Sequence, residues 1–211
     1  MTTASPHDEL PDARQRVGFE RHDLGDGHAF LTGQLPFKLR FDAAAFEALW
    51  QLRPPEFHEI LMHGRVVKTP RWQQAFGMDY RYTGRVNRAL PLPPLLLPLL
   101  AWSQESIDER LNSMLVNWYD GLLGHYMGRH RDSVKEMVKG SPIVTVSFGE
   151  QRVFRLRPYR GTTGRKDFPA CDGSVFVMPY ETNQAWTHEA PRARKFAGRR
   201  ISVTLRCFHE A

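Results

Sequence analysis

The chain of 211 residues is long enough to bury a sizeable core and is most simply one domain. Its 41% hydrophobic and 25% charged residues are the proportions of an ordinary soluble protein, and its most apolar run, residues 90–102, is too short for a membrane span. The net charge of +6 fits a polyanionic partner such as nucleic acid, although many other proteins have such a charge.

The N-terminal residues and the cysteines indicate the compartment. Residues 1–14 are polar and acidic, where a secretory signal would be cationic and then apolar. Cys171 and Cys207 are the only cysteines. We therefore expect a reducing, cytoplasmic location, with both thiols buried as small apolar side chains. We expect no membrane association and no obligate protein partner.

The first half of the chain predicts a flexible tail and then a helical part. Residues 1–14 form the expected tail, and residues 27–39 predict a strand and a turn. Residues 41–52 predict a helix that Asp42 caps at its N-terminus and that the double proline at 54 and 55 ends.

Two further segments complete this half. Residues 57–88 are short pieces rich in arginine, aromatic and turn residues, and residues 94–111 predict a second helix. No internal repeats or low-complexity tracts are visible.

Beyond residue 112 the pattern becomes that of β-strands. Five strand-like runs are separated by Gly, Pro and Asp signals, and they are residues 113–119, 141–149, 152–157, 173–179 and 199–208. Several short strands at this spacing favour a sandwich or a barrel over a parallel α/β sheet. The predicted architecture is therefore helices first and then a β core.

A His-Arg-Asp triplet at residues 130–132 is a candidate half of a metal site. In an extended segment, His130 and Asp132 project from the same side, because alternate residues share a face. The downstream candidates for a third ligand are His188 and His209. Two imidazoles and one carboxylate form the facial triad that suits non-haem Fe(II). Taken alone, the triplet is more often a surface or capping feature.

The last strand-like run divides its residues between two faces, with Ile201, Val203, Leu205 and Cys207 on one and Arg200, Ser202, Thr204 and Arg206 on the other. The α-carbons of Arg200 and Arg206 should lie roughly 20 Å apart. Their long guanidinium groups could then bind both ends of a short dicarboxylate. Asn117 and Tyr119 share one face of an earlier strand and could donate further hydrogen bonds. Alone, each pattern is more often a solvated face or a satisfied polar pair.

Taken in order, these features resemble the catalytic core of the AlkB family of Fe(II)- and 2-oxoglutarate-dependent dioxygenases. The matching features are Asn117 with Tyr119, His130 with Asp132, the strand at 141–149, His188 after an apolar strand, and Arg200 with Arg206. Upstream, GRVVKTPRWQQAFG and YRYTG are similar to the nucleotide-recognition segment of the DNA-repair branch. The resemblance covers most of the chain from about residue 60.

The resemblance implies an α+β fold with a double-stranded β-helix, or jelly-roll, core. Within one compact domain, residues 15–111 would supply the N-terminal helices and the substrate-recognition segment, and residues 112–211 the catalytic core. The implied cofactors are Fe(II), 2-oxoglutarate as cosubstrate and O₂.

The resemblance also implies residue roles. The metal ligands, and thus the catalytic residues, would be His130, Asp132 and His188. The 2-oxoglutarate site would comprise Asn117, Tyr119, Arg200, Ser202 and Arg206. The substrate would be bound by Arg71, Tyr80 and Tyr82. Two positions depart from the family pattern, because Val134 replaces a common acidic residue and Ser202 replaces an asparagine.

The implied activity is oxidative demethylation of N-alkylated bases in DNA or RNA, with release of formaldehyde, succinate and CO₂. A duplex target would be flipped out of its stack, and the basic stretches at 81–88 and 191–200 would contact phosphates. Two alternatives remain open: a hydroxylase of a protein side chain or a small metabolite, which Val134 motivates, and a catalytically silent nucleic-acid-binding module. The sequence leaves open the base, the type of nucleic acid, its strandedness and the oligomeric state.

Overall fold

The computed structural model describes residues 18–62, 64–82, 85–160 and 164–209, without the side chains of Met62 and Tyr82. The tail expected at residues 1–14 lies outside the described residues. The helices that the structure describes are all too short or too polar to span a bilayer.

Antiparallel strands dominate the described fold. In chain order they are β1 (Glu20–Gly25), β2 (His28–Gln34), β3 (Glu59–Met62), β4 (Arg65–Lys68), β5 (Trp72–Phe76), β6 (Tyr80–Tyr82), β7 (Arg85–Asn87), β8 (Ser113–Asp120), β9 (Met127–His130), β10 (Ile143–Gly149), β11 (Arg152–Pro158), β12 (Lys166–Ala170), β13 (Ser174–Met178), β14 (Trp186–Ala190) and β15 (Arg199–Arg206). The helices are α1 (Ala43–Gln51), α2 (Leu97–Ser106) and α3 (Tyr180–Ala185).

Two sheets form the core. The large sheet has the order β1-β2-β13-β10-β15-β8-β5, and the small sheet has the order β12-β11-β14-β9. The pairs β3-β4 and β6-β7 form separate two-stranded sheets. Together with the three helices, this arrangement is the expected α+β jelly-roll.

The large sheet is buried on both faces, which explains why β8, β10 and β15 are buried along almost their whole length. One face contacts α1 and α2 through a cluster that includes Trp50, Leu99, Trp118 and Val203. The other face contacts the small sheet through a second cluster. Because side chains alternate along a strand, β15 directs its apolar residues to the helices and Arg200, Ser202 and Arg206 toward the small sheet.

Helix α1 begins as predicted. The Asp42 carboxylate accepts a hydrogen bond from the Ala45 backbone N–H at 2.8 Å and so caps the helix. The helix ends at Gln51, ahead of the double proline. The Trp118 indole Nε1 donates to the Leu49 carbonyl at 2.9 Å and ties α1 to β8.

The second helix is shorter than predicted. A 3₁₀ turn at Pro94–Leu96 leads into α2, which ends at Ser106 rather than near residue 111. The Asp108 carboxylate accepts bonds from both the backbone N–H and the guanidinium of Arg110. This local turn competes with continuation of the helix.

The expectation of helices first and strands later is incomplete. Within the described residues, β1 to β7 precede residue 112, and three of them extend the large sheet, because β2 pairs with β13, β1 with β2, and β5 with β8. The proposed boundary at residue 112 therefore separates two roles within one continuous sheet.

One thiol also differs from expectation: Cys207 is buried, whereas Cys171 is only half-buried, and both are free.

Candidate metal centre and active-site cavity

Two neighbouring strands of the small sheet bring the candidate metal ligands together. His130 ends β9, and the register of β9 with β14 places it directly opposite His188. Their ring centroids are 4.3 Å apart. Asp132 follows two residues after His130, and its Oδ1 lies 3.5 Å from His130 Nε2 and 3.8 Å from His188 Nε2.

The ligand atoms of His130, Asp132 and His188 lie within 4.8 Å of one another, a grouping that could hold a metal ion. We call these three residues the His-Asp-His cluster. Between the two histidines considered for the third position, His188 belongs to the cluster, whereas His209 is exposed near the C-terminus.

The protonation of the two imidazoles suits metal binding. His130 Nδ1 lies 2.8 Å from the Gly128 carbonyl, a contact that places the proton on Nδ1 and leaves the Nε2 lone pair available. Burial of His188, reinforced by the neighbouring His130, lowers the pKa of its imidazole to about 3. The His188 imidazole can therefore act as a neutral nitrogen donor near pH 7.

The carboxylate of Asp132 is ionised and held from several directions. Burial by itself raises the pKa of this carboxyl, but the Arg206 guanidinium and the two imidazoles outweigh it and hold the pKa well below its usual range. Arg206 donates to Oδ2 from Nε at 3.1 Å and from Nη2 at 2.5 Å. The other oxygen, Oδ1, faces the histidines. Two neutral nitrogens and one carboxylate oxygen are the donor set of the facial triad for Fe(II).

A residue that sequence reasoning missed fixes the backbone of Asp132. The buried side chain of Asn183 accepts from the Asp132 N–H and donates to the Asp132 carbonyl, both at 3.0 Å. Because β9 has ended at His130, this amide replaces the pairing that a strand partner would supply. Asn183 lies in α3, far along the chain, and no local pattern marks it.

The His-Asp-His cluster lines a cavity of about 750 Å³. Asn117, Ser202, Arg200 and Arg206 also line this cavity, and Ser202 lies opposite Asn117 in the pairing of β15 with β8. Of the five residues assigned to 2-oxoglutarate, only Tyr119 does not line it. The Tyr119 ring lies 4.9 Å from the Arg200 guanidinium and supports that side chain instead.

Arg200 and Arg206 of β15 have different partners. Arg206 is paired with Asp132 beside the cluster. Arg200 is 2% exposed and donates to the Ser147 hydroxyl at 2.9 Å, and among the described residues no carboxylate lies within ion-pair distance of it. Burial lowers the pKa of Arg200, because a low-dielectric site disfavours its charge. This end of the cavity is therefore suited to an anion.

Tyr80 and Arg71, two of the residues assigned to the substrate, are buried beside the candidate metal and cosubstrate residues. The Tyr80 hydroxyl is 3.5 Å from Asp132 Oδ1, and its ring lies 4.6 Å from the Arg206 guanidinium. Arg71 lines the cavity but donates to Asn117 Oδ1 at 2.7 Å, which places it among the candidate cosubstrate residues. The backbone of Tyr82 pairs with Arg85, but its side chain lies outside the described part of the structure.

The cavity wall near Val134 departs from the sequence pattern of the family's DNA-repair branch. Val134 lines the cavity and packs against the apolar cluster between the sheets. The nearby Glu136 pairs with Arg81 at 3.4 Å. The structure therefore places an apolar side chain at the position where an acidic residue is common in the family.

The sequence of the chain is similar to those of known DNA oxidative demethylases. The chain is 30% identical over 157 residues to the DNA oxidative demethylase ALKBH2 of Homo sapiens, a match that covers 70% of this chain and 60% of that protein. It is 32% identical over 136 residues to ALKBH2 of Arabidopsis thaliana, covering 54% of this chain and 43% of that protein. The chain thus spans less than two thirds of the length of these curated relatives.

The fold is also similar to the solved structure of OsALKBH1, with a TM-score of 0.54 and 15% sequence identity, covering 89% of this chain and 99% of that one. These matches confirm the expected likeness to the AlkB family. The sequence profile of the 2OG-Fe(II) oxygenase superfamily matches residues 44–206, a span that includes the whole His-Asp-His cluster as well as Arg200 and Arg206. The chain therefore belongs to the 2OG-Fe(II) oxygenase superfamily, whose cofactors are Fe(II), 2-oxoglutarate and O₂.

Proposed function

We propose that this chain is an oxidative demethylase of N-alkylated bases in DNA or RNA, which releases formaldehyde, succinate and CO₂. The convergence of His130, Asp132 and His188 at the edge of the 750 Å³ cavity carries this proposal. The ALKBH2 relatives, which are DNA oxidative demethylases, support the nucleic-acid substrate, and the net charge of +6 is compatible with it.

Within this proposal, the His-Asp-His cluster would hold Fe(II). The bound iron, with 2-oxoglutarate and O₂, would supply the oxidising power that hydroxylates an N-methyl group. Arg200 is the candidate partner for one carboxylate of 2-oxoglutarate, because it is buried and lacks an acidic partner among the described residues. Asn117 and Ser202 would add hydrogen bonds from the same wall, while Tyr119 supports Arg200.

Arg206 has a different proposed task, since it already binds the carboxylate of Asp132. It would hold that carboxylate ionised and oriented, and its charge would favour an anionic cosubstrate nearby. Tyr80 would limit the space beside the metal, and Arg71 would orient Asn117. Tyr82 stays a proposed contact for the substrate base.

A second candidate is hydroxylation of a protein side chain or a small metabolite by the same centre. The apolar Val134 in the cavity wall favours it, because no carboxylate is available at that position to accept a bond from an exocyclic amine.

The cytoplasm is the proposed location for either activity. Two free cysteines are compatible with a reducing compartment.

A panel assay separates the two candidates. The full chain, loaded with Fe(II) and 2-oxoglutarate, is incubated with single- and double-stranded DNA and RNA oligonucleotides that carry different N-methylated bases. We expect formaldehyde from at least one of them, and none from Asp132→Ala. Asp108→Ala, which removes a carboxylate that is paired with Arg110 outside the cavity, should retain activity. Turnover of 2-oxoglutarate without formaldehyde from any oligonucleotide would contradict the demethylase.

A further inference from the structure

A second cavity adjoins the active-site cavity. It has a volume of about 530 Å³, and the side chains that characterise it are Leu24, Asp26, Arg131, Tyr159, Arg160 and Trp186. Arg131 and Gln184 line both cavities. The two cavities are therefore direct neighbours on the protein.

Arg131, which lines both cavities, stacks on Tyr159, which lines the second cavity. The Arg131 guanidinium lies 3.5 Å from the centroid of the Tyr159 ring. It also donates to the Gln184 carbonyl at 2.7 Å, which fixes its position above the ring. The stack links the segment of the His-Asp-His cluster to the end of β11, since Arg131 lies between His130 and Asp132.

The backbone of Tyr159 is held while its side chain stays accessible. Its N–H donates to the Ala185 carbonyl at 2.8 Å. The preceding carbonyl, of Pro158, accepts from Arg129 Nη2 at 2.5 Å. Tyr159 is nevertheless 48% exposed. A large aromatic residue that is fixed and exposed loses little conformational entropy when a ligand stacks on it.

The charges of the second cavity favour an anion. Arg131 and Arg160 are exposed cations on its wall, whereas Asp26 is its one carboxylate among the described lining residues. Leu24 and Trp186 add apolar surface. The stacked Arg131–Tyr159 pair, the apolar side chains and the Arg160 guanidinium together suit a nucleotide, which has a flat base and a phosphate.

We infer that the second cavity binds one nucleotide that neighbours the target base in the same strand. The base would stack on the Arg131–Tyr159 pair, and its phosphate would approach Arg160. This inference rests on the proposed nucleic-acid substrate. It adds a subsite that would position a single strand so that the adjacent base enters the cavity of the His-Asp-His cluster.

Direct binding to short strands tests the subsite. The probes are fluorescent single-stranded oligonucleotides with one N-methylated base in the interior, at the 5′ end or at the 3′ end. Binding is measured by anisotropy on the full chain with Mn(II) and 2-oxoglutarate, so that no turnover occurs. Tyr159→Ala should weaken binding of the interior probe about tenfold, the effect of losing one stacked base. Tyr159→Phe, which keeps the ring, should bind like the wild type.

The control variant is Leu122→Ala, because Leu122 is 83% exposed and lines neither cavity. It should bind all probes like the wild type. In one of the two probes whose N-methylated base is at an end, the neighbouring nucleotide that would fill the subsite is missing. For that probe alone, wild type and Tyr159→Ala should bind equally. Thermal melting of Leu122→Ala and Tyr159→Phe should match the wild type, and Tyr159→Ala should stay folded at the assay temperature with a slightly lower Tm, since it loses the stack on Arg131.

Several outcomes overturn the inference. Equal binding of the interior probe by wild type and Tyr159→Ala would do so, as would an equal loss with both end probes. If the wild type binds and demethylates the interior probe while Tyr159→Ala does the same, only the subsite fails. If the wild type binds no probe and releases no formaldehyde, the proposed function fails together with it.

Discussion

At the scale of single residues, the ion pair of Arg206 with Asp132 organises the candidate metal centre. Both side chains are almost fully buried, and their contact holds one carboxylate oxygen while the other faces two imidazoles. Sequence patterns singled out His130 and Asp132 but left the third ligand open, and the full cluster was predicted by the resemblance to the AlkB family. They did not predict this pairing, since nothing local relates residue 132 to residue 206 across the two sheets.

Arg206→Met should destabilise the protein and weaken its metal site. Removing one partner of a buried ion pair typically costs roughly 3–5 kcal/mol, because the other charge is left uncompensated. We expect a loss of that order in the free energy of urea unfolding, together with lower iron content. Arg199→Met is the matched control, because Arg199 pairs with Glu47 at the surface and should cost at most about 1 kcal/mol. Equal stability of the two variants would contradict this role of Arg206.

Asn183→Ala should act on the metal through Asp132. The two lost hydrogen bonds leave backbone groups of Asp132 unsatisfied, which costs about 1–3 kcal/mol each. Iron affinity, measured by competition with a chelator, should fall. Iron affinity should also fall in Asn183→Asp, because its carboxylate can still accept from the Asp132 N–H but cannot donate to the Asp132 carbonyl. An iron affinity equal to that of the wild type in both variants would show that Asn183 does not position Asp132.

At the scale of elements, the sequence predicted the long buried strands and β2, but not β5 or the short strands β9 and β14, which carry His130 and His188. The runs at β8, β10 and β15 are apolar and β-branched, so their pattern is local and strong. The sequence of β5, WQQAF, has two glutamines in its interior and becomes a strand because it pairs with the edge of β8. Such long-range pairing overrides local preference.

The cap of α1 offers a test at this scale. Asp42→Ala should lower the free energy of unfolding by about 1 kcal/mol, because it removes the acceptor for the Ala45 N–H. Asp42→Ser should restore most of that loss, since a hydroxyl also caps. Iron content should not change in either variant, because α1 packs on the face of the large sheet away from the cavity. A reduced iron content in Asp42→Ala at full folding would contradict this separation.

At the scale of the whole molecule, the two faces of the large sheet have separate tasks. One face packs against α1 and α2, and the other bears the polar side chains of β15 and the cavity. The resemblance predicted this jelly-roll. Periodicity alone could not, since it left a sandwich and a barrel equally open. It also could not reveal the adjoining second cavity, which combines β11, α3 and the turn after β1.

The net charge of +6 predicts that binding of the proposed nucleic-acid substrate is sensitive to salt. Each phosphate contact in a single strand contributes about 0.7 to the slope of log Kd against log salt. Arg194 is an exposed arginine of the basic stretch at residues 191–200, and Arg194→Ala should reduce that slope by about 0.7. Arg110→Ala is the control, because Arg110 is paired with Asp108 and should leave the slope unchanged. A slope near zero for the wild type would exclude phosphate contacts.

Equilibrium dialysis against Fe(II) under anaerobic conditions, with 2-oxoglutarate present, tests the central claim most directly. The wild type should bind one iron per chain, and His188→Ala should bind it at least about 100-fold more weakly, because one of three protein ligands is lost. His209→Ala, which removes an exposed histidine outside the cluster, should bind iron like the wild type. Full iron binding by His188→Ala, or its loss in His209→Ala alone, would contradict the His-Asp-His centre.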